Sequence, residues 1–498
     1  MKKILQLLIF IPFLSHSQTQ IGVEIDGESA GDESGYSVSL SSDGNIIAIG
    51  GRYNRTSGGI YQAPGHVRIY ENISGIWTQI GQDIDGEASG DQSGTSVSLS
   101  SNGTIVSIGA PNNYGANGFS SGHVRVYEYN SVTTTWTQLG EDIDGERSGD
   151  RSGRKVSLSS DGSIVAISAL ANNENGSGSG HVRVYKNQGG SWTQIGQDID
   201  GEAINNQMGS GLSLSSDGTI LAVGAIGIEG NPGQIRIHEY DAVSEVWNQI
   251  GADIIPEDTG DEFDEYGDSV SLSSDGSIVA IGTPDNDGNG INSGHVRVYV
   301  NQASSWTQIG DDIDGEAEGD LSGNSVSLSS DGTIIAIGAE FNNGVNGLNS
   351  GHVRVYKNQD GSWTQIGNDM DGEDAQDLSG YSVSISSDGS IVAFGAIHNA
   401  GNGNDSGQVK VYDLSEVLSS DEFVLSKFSL YPNPAINQVN IQFQEDLELK
   451  QVNIYNTLGQ FISTSKEKVI NTTHLSPGMY LLEIETNQGK ATKQLVIE

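Results

Sequence analysis

The sequence contains no cysteine. This excludes disulfide staples, thiolate metal sites, a thiol nucleophile and a lipid-bearing amino-terminal cysteine. Cations are also scarce, with 23 Lys and Arg against 65 Asp and Glu, a formal net charge of −42 over 498 residues. That balance excludes nucleic acid as a partner, because phosphate neutralisation needs clustered cations. No long apolar run follows the amino terminus, so no transmembrane segment is expected in the mature protein. Only 35% of residues are hydrophobic, yet 68 glycines, 17 tyrosines, 6 tryptophans and short Val/Ile runs argue for many strands and turns rather than disorder. What remains is an acidic, β-rich protein whose chemistry would rest on oxygen or imidazole groups.

The amino terminus has the order of a secretory signal: Lys2 and Lys3, an apolar stretch from Ile4 to Leu14, then Ser15 and Ser17 around His16. About eleven apolar residues cannot span roughly 30 Å of hydrocarbon, which favours a cleaved peptide over residues 1–17 rather than an anchor.

Trp-Thr-Gln-Ile-Gly or a close variant begins at Trp77, Trp136, Trp192, Trp247, Trp306 and Trp363, spaced 55 to 59 residues apart. Between these lie an acidic Gly-rich loop, a Ser/Val alternation such as Ser37-Val38-Ser39-Leu40, a Ser-Asp-Gly turn, an apolar run, an Asn/Gly-rich loop and a Gly-His-Val-Arg strand. Each unit therefore reads as four short strands. The Ser/Val and Val-Arg strands occur seven times and the Trp strand six, its seventh copy being Thr19-Gln20-Ile21-Gly22 at the other end. Complementary ends imply a closed ring, whereas an open solenoid would need capping repeats. The expected fold is all-β, a seven-bladed β-propeller over residues 18–413 sealed by the mature amino-terminal strand. A linker at 414–426 and a small β-sandwich at 427–498 complete the chain. With the Ser/Val strand innermost, the acidic crossover and the Asn/Gly loop share one face, the expected binding face.

The stretches Gly94-Thr95-Ser96-Val97, Ile108-Gly109-Ala110-Pro111 and Gly122-His123-Val124 resemble the FG-GAP repeat of integrin-type propellers. The family's calcium loop is shortened here to Ser42-Asp43-Gly44, so its calcium site is not carried over. In the tail, Tyr431-Pro432-Asn433-Pro434, Gly459 within Tyr455 to Gln460, and Gly478 and Tyr480 within Leu475 to Tyr480 resemble the type A sorting domain of the type IX secretion system. That resemblance implies handling by the type IX machinery. The destination it implies is release from, or display on, the outer-membrane surface of a Gram-negative bacterium, via the periplasm.

Two sets of residues are candidates for chemistry. Asp83, Asp85, Glu87 and Asp91 form an acidic loop repeated around the ring, a source of oxygen ligands for Ca²⁺, although Asp and Gly at this density also simply make turns, the favoured reading. Arg52, Tyr53, Arg55 and Tyr61 break the symmetry of the first unit and combine cations with aromatic planes, which makes them the expected ligand-binding set. The repeated histidines, such as His66, are expected to pack and hydrogen-bond between blades, with the neighbouring Arg paired to acids. No nucleophile and base pair is recognisable. The expectation is a monomeric, non-catalytic binding or adhesion protein needing no cofactor, with an extracellular glycan or surface protein as ligand. The alternatives are a carbohydrate-active hydrolase or lyase and a structural surface component.

Overall fold

The computed structural model describes residues 18–54, 63–226, 233–255, 269–419, 428–443, 449–456, 460–486 and 489–497. Two compact units divide the chain, one from Thr19 to Asp413 and the other carrying Leu414 to Glu498. No helix among the described residues is long and apolar enough to cross a membrane.

Each repeat folds as an antiparallel sheet in chain order, and seven such sheets occur among the described residues of the larger unit. In sheet 1 the inner, second, third and outer strands are Ser34–Leu40, Ile46–Gly51, His66–Ile73 and Ile76–Gln79. The inner strands of sheets 2 to 7 are Ser96–Leu99, Ser152–Leu158, Leu212–Leu214, Ser269–Leu272, Ser325–Leu328 and Ser379–Ile385. The Ser-Asp-Gly turn forms because Asp43 Oδ1 accepts from Ser41 Oγ at 2.7 Å and from the Asn45 amide at 3.0 Å. Gly44 supplies the positive φ of 69° that the turn requires. Burial alone would raise the Asp43 carboxyl, but the hydrogen bonds from Asn45 and Ser41 outweigh it and hold its pKa low.

The core lies between the sheets. Val67 and Ile69 of sheet 1 pack with Val106 and Ile108 of sheet 2, and equivalent clusters fill the other gaps. Approach is closest near the inner strands, where a side chain at Gly50 would meet the Gly94 carbonyl oxygen at 2.1 Å. The Ser/Val alternation has a physical basis here. Valine and leucine enter the core, while serine hydroxyls tie one inner strand to the next.

Three chains of hydrogen bonds cross the gaps. Leu99 N–H donates to Ser39 Oγ at 3.0 Å, and the same bond recurs from Leu158, Leu214, Leu272, Leu328 and Ile385 to the preceding inner strand. Leu40 N–H donates to Ser384 Oγ, which returns the chain to its start. Main-chain bonds run the other way, from Ser42 to Ser101 through to Ser387, whose amide donates back to Ser42 O at 2.9 Å. At the rim each Trp Nε1–H donates to the carbonyl of the preceding outer strand, as Trp136 does to Ile80 at 2.9 Å. Trp77 donates to Ile21 at 2.9 Å. Thr19 and Gln20 in turn pair with Asp413 and Tyr412 of the last sheet. The seven sheets therefore form a closed cycle that includes both ends of the unit.

In the smaller unit a three-stranded and a four-stranded sheet enclose one core, including Phe428, Val439, Ile454, Leu482 and Leu495. Asn433 joins the first strand to the last: its Nδ2 donates to Gln494 O at 2.8 Å and its Oδ1 accepts from Val496 N at 2.9 Å.

Candidate functional site

The copies of the repeat are nearly identical along the Ser/Val run but differ at two positions just before that run, in Asp-x-Ser-Gly-x, which the fourth copy carries as Asn206-Gln207-Met208-Gly209-Ser210. The first variable residue is Glu33, Gln92, Arg151, Gln207, Leu321 or Leu378, each with φ between 45° and 58°. Non-glycine residues at positive φ are strained, and such strain gathers at ligand clamps and active sites. Local bonds hold the turn: Asp91 Oδ2 accepts from Ala88 N at 2.8 Å and from Asn113 Nδ2 at 2.9 Å. Asn113 belongs to the Asn/Gly loop, so the acidic and Asn/Gly loops lie on one face.

The second variable residue is Tyr36, Thr95, Arg154, Ser210, Asn324 or Tyr381. Three of these converge. The rings of Tyr36 and Tyr381 are 4.9 Å apart, and Arg154 Nη1 donates to Tyr36 Oη at 3.2 Å from two sheets away. Contact between sheets 1, 3 and 7 places them at the mouth of the ring. In each of these three inner strands the variable residue lies within a register shift, a bulge that re-aims it. Arg52 completes the group, with its guanidinium carbon 3.8 Å from the Tyr36 ring centroid. Burial would raise the Tyr36 hydroxyl, but Arg154 and Arg52 together hold its pKa below the ordinary value. Tyr381, by contrast, is pushed up by burial and by Tyr36. Beside the cluster, Arg151, Arg154, Asn205 and Gln207 line a cavity of about 490 Å³. In so acidic a chain, this cationic and aromatic mouth can receive carboxylate or sulfate groups.

A second arrangement recurs between sheets on the same face. Glu28, His66 and Asp83 bring their donor atoms within 4.8 Å of one another, as do Glu87, His123 and Asp142; Glu146, His181 and Asp198; His295, Asp312 and Asp314; and Glu316, His352 and Asp369. Arg68 Nη1 lies 3.9 Å from Glu28, and Arg125 equally far from Glu87. Burial first and the adjacent Arg68 second push the His66 pKa down to about 4, so the imidazole is neutral at physiological pH. Glu87 is pushed up by burial and by the negative charge of Asp142.

The candidate ligand residues Arg52 and Tyr53 lie at the mouth, while Arg55 and Tyr61 fall outside the described residues. Arg52 is not an open cation, since its Nε–H donates to Glu33 Oε2 at 2.7 Å. Tyr53 Oη accepts from Gln92 Nε2 at 3.1 Å. The four loop acids do not share one point. Asp83 faces His66 at 3.9 Å, and Glu87 faces His123 at 4.0 Å in the next gap. Asp85 offers its main-chain carbonyl to Arg125, and Asp91 is buried as a turn former. The histidines pack between sheets as expected, but His66 Nδ1 and both ring nitrogens of His181 lack a hydrogen-bond partner. Sequence reading missed Tyr36, Arg154 and Tyr381; the available signal was the variation between copies at one strand position. Of the sorting-motif residues, Tyr431 is 66% exposed, Pro432 and Pro434 flank Asn433, Gly478 opens the strand Gly478–Thr486, Tyr480 Oη donates to Ser476 O, and Gly459 lies outside the described residues.

Residues 429–498 match the secretion system C-terminal sorting domain family. The protein is therefore exported by the type IX system as a secreted or cell-surface protein. No curated protein matches the chain. Among solved structures it is similar to the periplasmic gluconolactonase PpgL of Pseudomonas aeruginosa, with 16% identity, 68% of this chain and 85% of that chain covered, and a TM-score of 0.46. It is also similar to the β-propeller domain of Myceliophteria thermophila Cps50 (Swd1), with 10% identity, coverage of 78% and 99%, and a TM-score of 0.47. Saccharomyces cerevisiae Sqt1 is a third, with 12% identity, coverage of 97% and 99%, and a TM-score of 0.43.

Proposed function

We propose that this exported protein is a non-catalytic binding protein, a seven-bladed β-propeller of FG-GAP-like repeats followed by a small β-sandwich sorting domain. Its ligand is an extracellular glycan or surface protein that presents acidic groups to the mouth of the ring. The closed hydrogen-bond cycles support the propeller reading. One observation carries the binding reading: copies that otherwise repeat the same scaffold change side chain at the two positions that meet at the mouth, Tyr36, Arg154 and Tyr381 among them. A purely structural ring has no use for that divergence, whereas a recognition surface on a rigid scaffold does.

The roles follow from chemistry. Arg154, whose Nη1 bonds Tyr36 Oη, brings a guanidinium to the mouth for a carboxylate or sulfate, the half-buried Tyr381 offers an apolar plane for a sugar or side chain, and Tyr36, only 6% exposed, packs behind it with Arg52, itself matched by Glu33. The test is a panel of glycans and surface proteins presented to the full-length protein with and without Ca²⁺. Selective retention of ligands bearing carboxylate or sulfate is expected. Turnover of a carbohydrate during the same incubation would overturn the non-catalytic reading.

A further inference from the structure

The gaps that hold Glu28, His66 and Asp83 have a feature that turn formation leaves unexplained. The His66 side chain is 1% exposed, and its Nδ1, without a hydrogen-bond partner, faces Glu28 Oε2 and Asp83 Oδ2 at 3.9 Å each. The same nitrogen of His123 lies 4.0 Å from Glu87 and 3.5 Å from Asp142, and that of His181 lies 3.6 Å from Asp198. These separations are too long for hydrogen bonds. They are close to the roughly 3.4 Å between ligand atoms around a tetrahedral ion with bonds of about 2.1 Å. The carboxylates are a third to a half exposed and can move the remaining few tenths of an ångström.

The other gaps of the ring provide comparison. In sheet 4, Gln234 stands where sheets 1, 2, 3, 5 and 6 carry histidine, and Arg236 Nη2 fills the space between carboxylates, 2.8 Å from Glu202 and 3.1 Å from Asp253. In sheet 1, Arg68 instead turns Nη2 to the Asp26 carbonyl at 2.9 Å, and its Nη1 stays 3.9 Å from Glu28, beyond hydrogen-bond reach. Arg125 and Arg183 likewise turn Nη2 to the Asp85 and Asp144 carbonyls. In sheet 5, Arg297 forks Asp312. In sheet 6, His352 Nε2 accepts from Arg354 Nε at 3.3 Å, which puts the imidazole proton on Nδ1 and removes its lone pair from the gap.

We propose that the Glu28, His66 and Asp83 triad, with its copies at His123 and His181, holds a first-row divalent cation of the zinc class, one ion in each of three consecutive gaps. One imidazole nitrogen with two carboxylate oxygens and an open outer side suits Zn²⁺, whereas Ca²⁺ takes six to eight oxygens. The assignment is independent of the ligand at the mouth.

The test is titration of Zn²⁺ into tag-free, EDTA-stripped full-length protein, with bound metal counted after dialysis and Tm followed in parallel. About three equivalents are expected for the wild type, one fewer for His181→Gln, and none for His66→Gln/His123→Gln/His181→Gln, which also loses the Zn²⁺-dependent rise in Tm. Gln234 and Gln408 occupy the same place in this ring, so glutamine is compatible with the fold. His352→Gln should leave the stoichiometry unchanged. The proposal is overturned by no Zn²⁺ uptake, by unchanged uptake in the triple variant, by loss of an equivalent in His352→Gln, or by a Tm response to Ca²⁺ alone.

Discussion

Gly22→Val tests whether the first strand seals the ring. Gly22 has φ of 72°, and a Cβ there would lie 2.6 Å from the Gly75 carbonyl oxygen. Gly140, at the matching place between sheets 2 and 3, has φ of 83° and would meet Gly190 O at 2.6 Å. A β-branched residue in the left-handed region costs about 1–2 kcal/mol, and the forced shift of backbone adds about 1–3 kcal/mol. Each substitution should therefore destabilise the larger unit by about 3 kcal/mol, a fall in Tm of roughly 4 °C for a unit of this size. Thermal unfolding of the full-length protein, followed by tryptophan fluorescence, reads both. If Thr19 to Gly22 were a free tail, Gly22→Val would be silent while Gly140→Val was not, and closure would be refuted. Silence of both would refute the steric reasoning itself.

Two further predictions concern the chain at large. His238 stands where the other sheets carry tyrosine, and burial first, then Arg236, pushes its pKa down to about 4. The unfolded chain takes up a proton near pH 6.5 that the folded chain refuses until about pH 4, so this stability is present above 6.5 and lost as pH falls across that window. His238→Tyr should reduce the loss of stability between pH 7 and 4.5 by up to about 3 kcal/mol, read from denaturant midpoints; a loss equal to wild type would contradict it. A chain ending at Lys427 should fold yet stay in the periplasm, and cell fractionation that finds it at the surface would remove the sorting role from residues 429–498.

The repeat is legible in the sequence because the scaffold is written in residues with one physical job each. Six Trp strands and a seventh copy at Thr19 to Gly22 suffice to place that copy beside the last strand of the ring, where Gln20 pairs with Tyr412. The mouth is harder to read. Breaks of symmetry in the loops point to Arg52 but not to the Glu33 that neutralises it, since their contact depends on the left-handed turn at Glu33. Tyr36, Arg154 and Tyr381 lie within strands, and the bulges that contain them decide that they converge rather than face separate gaps. The triads are hidden for another reason. Glu28 and Asp83 come from two crossovers flanking different sheets, and neighbours in the Asp83 to Asp91 loop part to opposite gaps.

The central claim is recognition at the mouth, and Arg154 is its most direct probe. The measurement is the affinity of the best-retained acidic ligand for wild type and for Arg154→Gln, at low and physiological salt. Loss of one charge-assisted contact, about 1.5–3 kcal/mol, should weaken binding at least tenfold with little change in Tm, and flatten its salt dependence. Equal affinity in the two proteins at matched stability would contradict the account.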